Sequence, residues 1–154
     1  MLRIINNYFF IVFLLLPVNV FAADLTKENV NILLSKADVA VSNLDATGVA
    51  NVLSDNVILV VNIKSNDQTQ VWTPSKQEFI LMLKLGWLSV EDFKHHKTNE
   101  VIKNEGDKVI VTADVNGTMK VNGETNYVAA KMEATIEIVN RNLLITKLVT
   151  DTDV

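Results

Sequence analysis

From residue 108 to residue 140 apolar and polar positions alternate almost without interruption. Val109, Val111, Ala113, Val115, Met119 and Val121 point one way, and Lys108, Thr112, Asp114, Asn116, Thr118 and Lys120 the other. After Asn122-Gly123 the alternation resumes with Val128, Ala130, Met132, Ala134, Ile136 and Ile138 set against Tyr127, Lys131, Glu133, Thr135 and Glu137. A period of two predicts strands, and Asn-Gly between two such runs predicts a two-residue hairpin loop. That loop pairs Val121 with Glu124 and fixes the rest of the register. Val115 faces Ala130, Ala113 faces Met132, Val111 faces Ala134 and Val109 faces Ile136, while Asp114 meets Lys131 and Lys108 meets Glu137. Matched cross-strand pairs contribute about 0.2–1 kcal/mol each. A slip of one residue would turn every side chain to the wrong face. A ribbon with one apolar face needs elements to cover it.

The covering elements lie upstream. Residues 24–44 place Val30, Leu33, Ala37, Val41 and Leu44 at spacings of three and four, the apolar stripe of a helix, with Asp24 or Thr26 as its cap. Asp45 caps a shorter helix that buries Val49, Val52 and Leu53, although Gly48 weakens it. Ser54-Asp55-Asn56 reads as a turn. Residues 57–63 contain only Asn62 as a polar residue, which predicts a short strand buried on both faces. A polar turn over 64–68 leads to a short returning strand over 69–72. The next helix starts either at Thr73-Pro74 or at a capping box made by Ser75 and Glu78. It continues to about Leu85 and is apolar nearly all round, so it is buried on more than one side or lies at an interface. Gly86 ends it.

Residues 91–103 form the least regular strand, joined to the ribbon by the turn Asn104-Glu105-Gly106-Asp107. If Ile102 pairs with Val109, then His96, Thr98 and Glu100 share the apolar face. Shifted by one, His95, Lys97 and Asn99 replace them. Residues 143–151 form a last strand whose register the pattern leaves open.

The chain has 154 residues, which suits one domain after its leader. Arg3, the apolar run 9–16, Pro17 and Val20-Phe21-Ala22 have the order of a signal peptide cut after Ala22. Residues 1–22 are therefore a leader and 23–154 a single domain, periplasmic or secreted. The run is short for a membrane span, so no membrane association is expected after cleavage. A net charge of −4 argues against nucleic acid and against an anionic membrane surface. With no Cys the fold must hold by core burial alone.

The order helix, helix, strand, strand, helix, then four strands in a meander resembles the nuclear transport factor 2-like superfamily, and in particular its SnoaL-like, polyketide-cyclase-like members. The resemblance rests on the long first helix into Asp45, the passage Leu53-Ser54-Asp55-Asn56-Val57, the Asn104-Glu105-Gly106-Asp107 turn and the alternating ribbon. It implies an α+β cone in which a strongly bent antiparallel sheet of about six strands wraps three helices around a pocket. It also implies dimerisation through the sheet. Members related to ketosteroid isomerase use an interior Tyr and acidic residues. Here Tyr127, Glu133 and Glu137 fall on the outward face, so no family catalytic residue carries over.

Candidate chemistry is sparse. His96 and Glu100, two pleats apart, form an acid–base pair if they share a face. The plainer alternative is a solvated strand start. Adjacent His95 and His96 project to opposite faces and have no acid or Cys cluster beside them, so no metal is expected. Trp72, Phe79, Leu83, Trp87 and Met132 are candidates for an apolar pocket, and packed core residues otherwise. Asn116-Gly117-Thr118 reads as a chance sequon. The first functional expectation is a non-catalytic binding or interaction module without a cofactor, holding a small hydrophobic ligand or pairing through Thr112, Asp114, Asn116, Thr118, Tyr127, Lys131 and Glu133. The second is a small isomerase, cyclase or hydratase using His96 and Glu100.

Overall fold

Two tight loops set the centre of the sheet. At Asn122-Gly123 both residues have positive φ (51° and 83°), and at Asn140-Arg141 both do again (51° and 66°). Two consecutive left-handed residues give the turn whose twist matches that of paired strands. The first loop joins β4 (Lys108–Val121) to β5 (Glu124–Val139), and the second joins β5 to β6 (Asn142–Asp153). The β4–β5 register is the one the alternation predicts, from Val121 opposite Glu124 to Lys108 opposite Glu137.

The computed structural model describes residues 24–65 and 68–153; the leader and part of the expected turn over 64–68 lie outside the described residues. Helix α1 (Lys27–Ser42) starts at Thr26, whose hydroxyl accepts from the Asn29 amide. Asp45 caps α2 (Ala46–Val52) by accepting from the Gly48 amide at 2.9 Å. Strands β1 (Leu53–Ser65) and β2 (Gln68–Trp72) follow, then α3 (Lys76–Trp87) and β3 (Val90–Asn104). Of the two possible starts for α3, the capping box is the one formed: Ser75 and Glu78 each bond the other's backbone amide.

The six strands lie in the order β2-β1-β6-β5-β4-β3. The sheet is mixed rather than antiparallel throughout, because β6 runs parallel to β1. Alternation shows which way a side chain points but not which neighbour a strand takes. Residues 54–56 are not a turn. β1 starts at Leu53 and bulges between Leu53 and Ile58, which accommodates Asp55 and Asn56 within a strand.

One face of the sheet meets the helices. Val109, Val111, Ala134, Ile136, Leu59 and Ile145 pack there against Val30, Leu33 and Leu34 of α1 and Val49 and Val52 of α2. Among the described residues the other face has no such cover. That is why Ile58 is 59% exposed beside the buried Val57 and Leu59, and why β1 is not buried on both faces. Helix α3 is not buried on more than one side, the first of the two expectations for it. None of its residues is buried. Phe79, Ile80, Leu83 and Trp87 pack against the core while Leu81, Met82 and Leu85 stay exposed.

Candidate functional site

Strand β3 decides which side chains reach the helix-covered face. Next to the turn, Ile102 pairs with Val111 and Asn104 with Val109, a register two residues from the expected one. Between Thr98 and Val101 the pairing shifts, so that Asn99 and Glu100 stand opposite Ala113 alone. Asn99 has φ 52° and its amide donates to Asp114 at 2.7 Å. This bulge reverses the parity of the strand. Beyond it Lys97 pairs with Val115, His95 with Gly117 and Phe93 with Met119, all on the inner face. His96 pairs with Asn116 on the outer face and is exposed. The geometry needed for a His96–Glu100 pair is therefore absent. The shifted alternative, with His95 and Lys97 inside, is the one formed.

His95 and Lys97 meet α1 at Asp38, which lies one turn beyond the buried Leu34 on the flank of the apolar stripe. Lys97 Nζ is 2.8 Å from Asp38 Oδ2 and 3.2 Å from Glu100 Oε2. His95 Nε2 is 4.0 Å from Asp38 Oδ1, the other oxygen of the same carboxylate. The side chains of His95 and Lys97 are only 9% and 14% exposed. Phe93 stacks on the imidazole at 5.4 Å between centroids. His95 Nδ1 is buried and has no hydrogen-bond partner among the described residues. A buried polar atom left in that state costs about 1–3 kcal/mol.

Burial works against the charge of Lys97. The hydrogen bond and charge of Asp38, followed by those of Glu100, outweigh it and hold the ammonium above its ordinary value of 10.5. Lys103 is raised by Glu105 in the same sense. On the acid side, Glu78 is lowered by the Ser75 amide, Glu91 by Lys120 and Glu105 by Lys103. A raised cation stabilises the fold below its unfolded value and loses that contribution as pH rises through its folded value. A lowered carboxylate contributes above its unfolded value and loses that as pH falls through its folded one. The urea-unfolding midpoint is thus expected to fall below pH 4.5 and above pH 10.5. Lys97→Met should remove part of the alkaline loss and leave the acid arm unchanged. An identical alkaline arm in that variant would mean that Lys97 does not contribute to it.

Gly117 permits the approach of β3. A Cβ there would lie 2.2 Å from the Lys94 carbonyl oxygen and 3.0 Å from His95 Cα. The sequon-like text around Gly117 therefore marks a close strand crossing, a meaning that an isolated strand glycine often has. A hollow of about 370 Å³ opens at this crossing, with His95, His96, Gly117, Tyr127 and Val128 in its wall.

The five pocket candidates divide. Trp72 and Met132 lie on one inner-face row, Trp72–Val61–Thr150–Met132–Ala113. Phe79, Leu83 and Trp87 pack on the core from α3. None of the five lines the hollow at Gly117 or the groove of about 1300 Å³ along α1, α2 and the β5–β6 loop. Among the described residues no His, Asp and Glu group is placed to hold a metal ion. The Lys97 ammonium occupies the centre of the acidic cluster instead.

No known family model matches the chain, and no curated protein matches it. Solved structures do. An NTF2-like protein from Cytophaga hutchinsonii is 13% identical, with 83% of this chain and 99% of that one covered and a TM-score of 0.64. A hexachlorocyclohexane dehydrochlorinase from Novosphingobium barchaimii is 17% identical over 80% and 83%, with a TM-score of 0.63. An NTF2-like protein of unknown function in nutrient uptake from Rhodospirillum rubrum is 12% identical over 80% and 97%, also at 0.63. Identities this low speak for the backbone alone, and the backbone agrees over four-fifths of the chain; the described residues place three helices against one face of a curled six-stranded sheet, the nuclear transport factor 2-like α+β fold.

Proposed function

We propose that the inner face of the sheet binds a small, mostly apolar molecule and presents its polar group to Asp38, His95 and Lys97. The observation that carries this reading is His95. Its ring is nearly buried, one nitrogen faces a carboxylate, and the other is a buried polar atom with no partner among the described residues. Next to it the inner face is half-buried and apolar along Val115, Val128, Ala130 and Met132. A concave apolar surface with a few convergent polar groups is the usual form of a small-molecule site.

A second reading, proton transfer on the bound molecule, is favoured by the same ring. A His with a carboxylate 4.0 Å from Nε2 and no partner on Nδ1 could draw up to that carboxylate when a substrate binds and use its other nitrogen as a base. A dehydrochlorinase shares this fold, which fits acid–base work on an apolar substrate. The reading extends to location and assembly: export after cleavage near Ala22, and a second copy on the outer sheet face around Asp114, Tyr127 and Lys131.

Native mass spectrometry of the protein, made with its own leader, tests the set. The expected spectrum starts at Ala23, shows two copies and carries a small molecule that Ala130→Arg abolishes. Preparations that never carry a molecule would sink the small-molecule reading. In heavy water, deuterium entering the bound molecule in a His95-dependent way would support proton transfer, and none entering would remove it.

A further inference from the structure

The proposed site contains one cation held between two carboxylates. Lys97 Nζ lies 2.8 Å from Asp38 and 3.2 Å from Glu100. The same Asp38 carboxylate turns its second oxygen toward His95, at 4.0 Å, too long for a hydrogen bond. Asp38 thus faces two nitrogen groups, the Lys97 ammonium and the His95 ring, and is engaged mainly by the ammonium. Glu100 is the only other acid paired with Lys97 among the described residues. It stands there because the bulge places Asn99 and Glu100 together opposite Ala113.

We propose that Glu100 is a positioning residue: by competing with Asp38 for Lys97, it sets how much of the Asp38 carboxylate is available to His95. This rests on the reading of His95 as the working group of the inner face. An ammonium has three donors on one nitrogen and can divide them between two acceptors. When Glu100 takes a larger share, the Asp38 charge is less neutralised and its bond to an imidazolium strengthens. When Glu100 is absent, Lys97 has Asp38 alone and His95 loses that support. Among the described residues the charged group facing His95 is Asp38 from α1, which Lys97 and through it Glu100 engage from the ring's own strand, and Lys94 shares the wall of the hollow with the ring. Its neighbours on β4 and β5, Gly117 and Val128, carry no charge.

The expected result is a change in the pH at which the His95 ring protonates, read from its NMR resonances. His96→Gln assigns the signals, since the chain holds two His. Glu100→Gln should lower the titration midpoint of His95, because Lys97 then neutralises Asp38 more fully. Part of that shift would arise from loss of a nearby negative charge alone, and a double-mutant cycle separates the two. In a Lys97→Met background, Glu100→Gln should shift His95 by less than half as much. In an Asp38→Asn background, which keeps Lys97, the shift should also shrink, because there is no carboxylate left to compete for.

Equal shifts in all backgrounds would mean that Glu100 acts on His95 directly, and would overturn the proposal. So would no shift from Glu100→Gln in the unmodified background, which would make the contact with Lys97 a surface pair. If Lys97→Met does not fold, the Asp38→Asn arm decides alone. These readouts need no ligand, so the absence of a bound molecule in the mass spectrum would count against the binding reading while leaving the positioning role intact.

Discussion

Gly117→Ala is expected to destabilise the protein by about 1–3 kcal/mol, as overpacking of a close contact does, and to displace His95 at the same time. The added methyl meets backbone, the Lys94 carbonyl oxygen at 2.2 Å and His95 Cα at 3.0 Å, so no side-chain rotation can relieve it. β3 must move away from β4 at this crossing. The movement would pull His95 from Asp38, whereas Lys97, two residues nearer the bulge, should be less affected. Urea unfolding measures the first effect, and the ring resonances of His95 measure the second. A variant as stable as the parent, with an unchanged His95 signal, would show that β3 does not press on Gly117 in solution. Loss of stability without change at His95 would leave the glycine as a packing requirement alone.

Ile136→Ala should cost about 2–5 kcal/mol, the range for removing a large aliphatic side chain from a closed core. Ile136 is 0% exposed and sits on β5 between Val109 of β4 and Ile145 of β6. These neighbours belong to three strands in the middle of the sheet, and α1 closes over them through Val30 and Leu33. The cavity left by alanine therefore has walls that cannot collapse easily. Denaturation monitored by Trp fluorescence gives the value, since Trp72 and Trp87 lie on elements remote in sequence from the substitution. The same change at Ile138, which lies on the same strand but is 42% exposed, should cost well under half as much. Similar costs at both sites would mean that burial on this face of β5 does not fall off toward the β5–β6 loop.

Features that depend on near neighbours in the chain were legible from the residues alone. The β4–β5 register could be read from Asn122-Gly123 and the alternation because a two-residue loop leaves one pairing, and the burial of one face leaves one parity. The cap of α2 at Asp45 and the capping box of α3 could be read because those bonds span three residues. Tertiary structure decided the rest. Strand β6 could not be assigned to a parallel partnership with β1, since more than eighty residues separate their paired positions and nothing in either strand names the other. Helix α3 is apolar nearly all round, and the sequence left open whether it is buried on more than one side or lies at an interface, because composition counts apolar residues without regard to what lies beside them. At the site, the choice between His95 and His96 turned on one inserted residue in β3. The sequence offers both parities for that strand. What selects one is the pairing of the bulge across from Ala113, the Asn99–Asp114 hydrogen bond that holds it, and an Asp38 delivered from a helix nearly sixty residues away. A bulge adds a single unpaired residue to one strand, which a period-two reading of the sequence does not locate. Burying Lys97 becomes affordable only when two carboxylates arrive with it, and that convergence exists only in the folded chain.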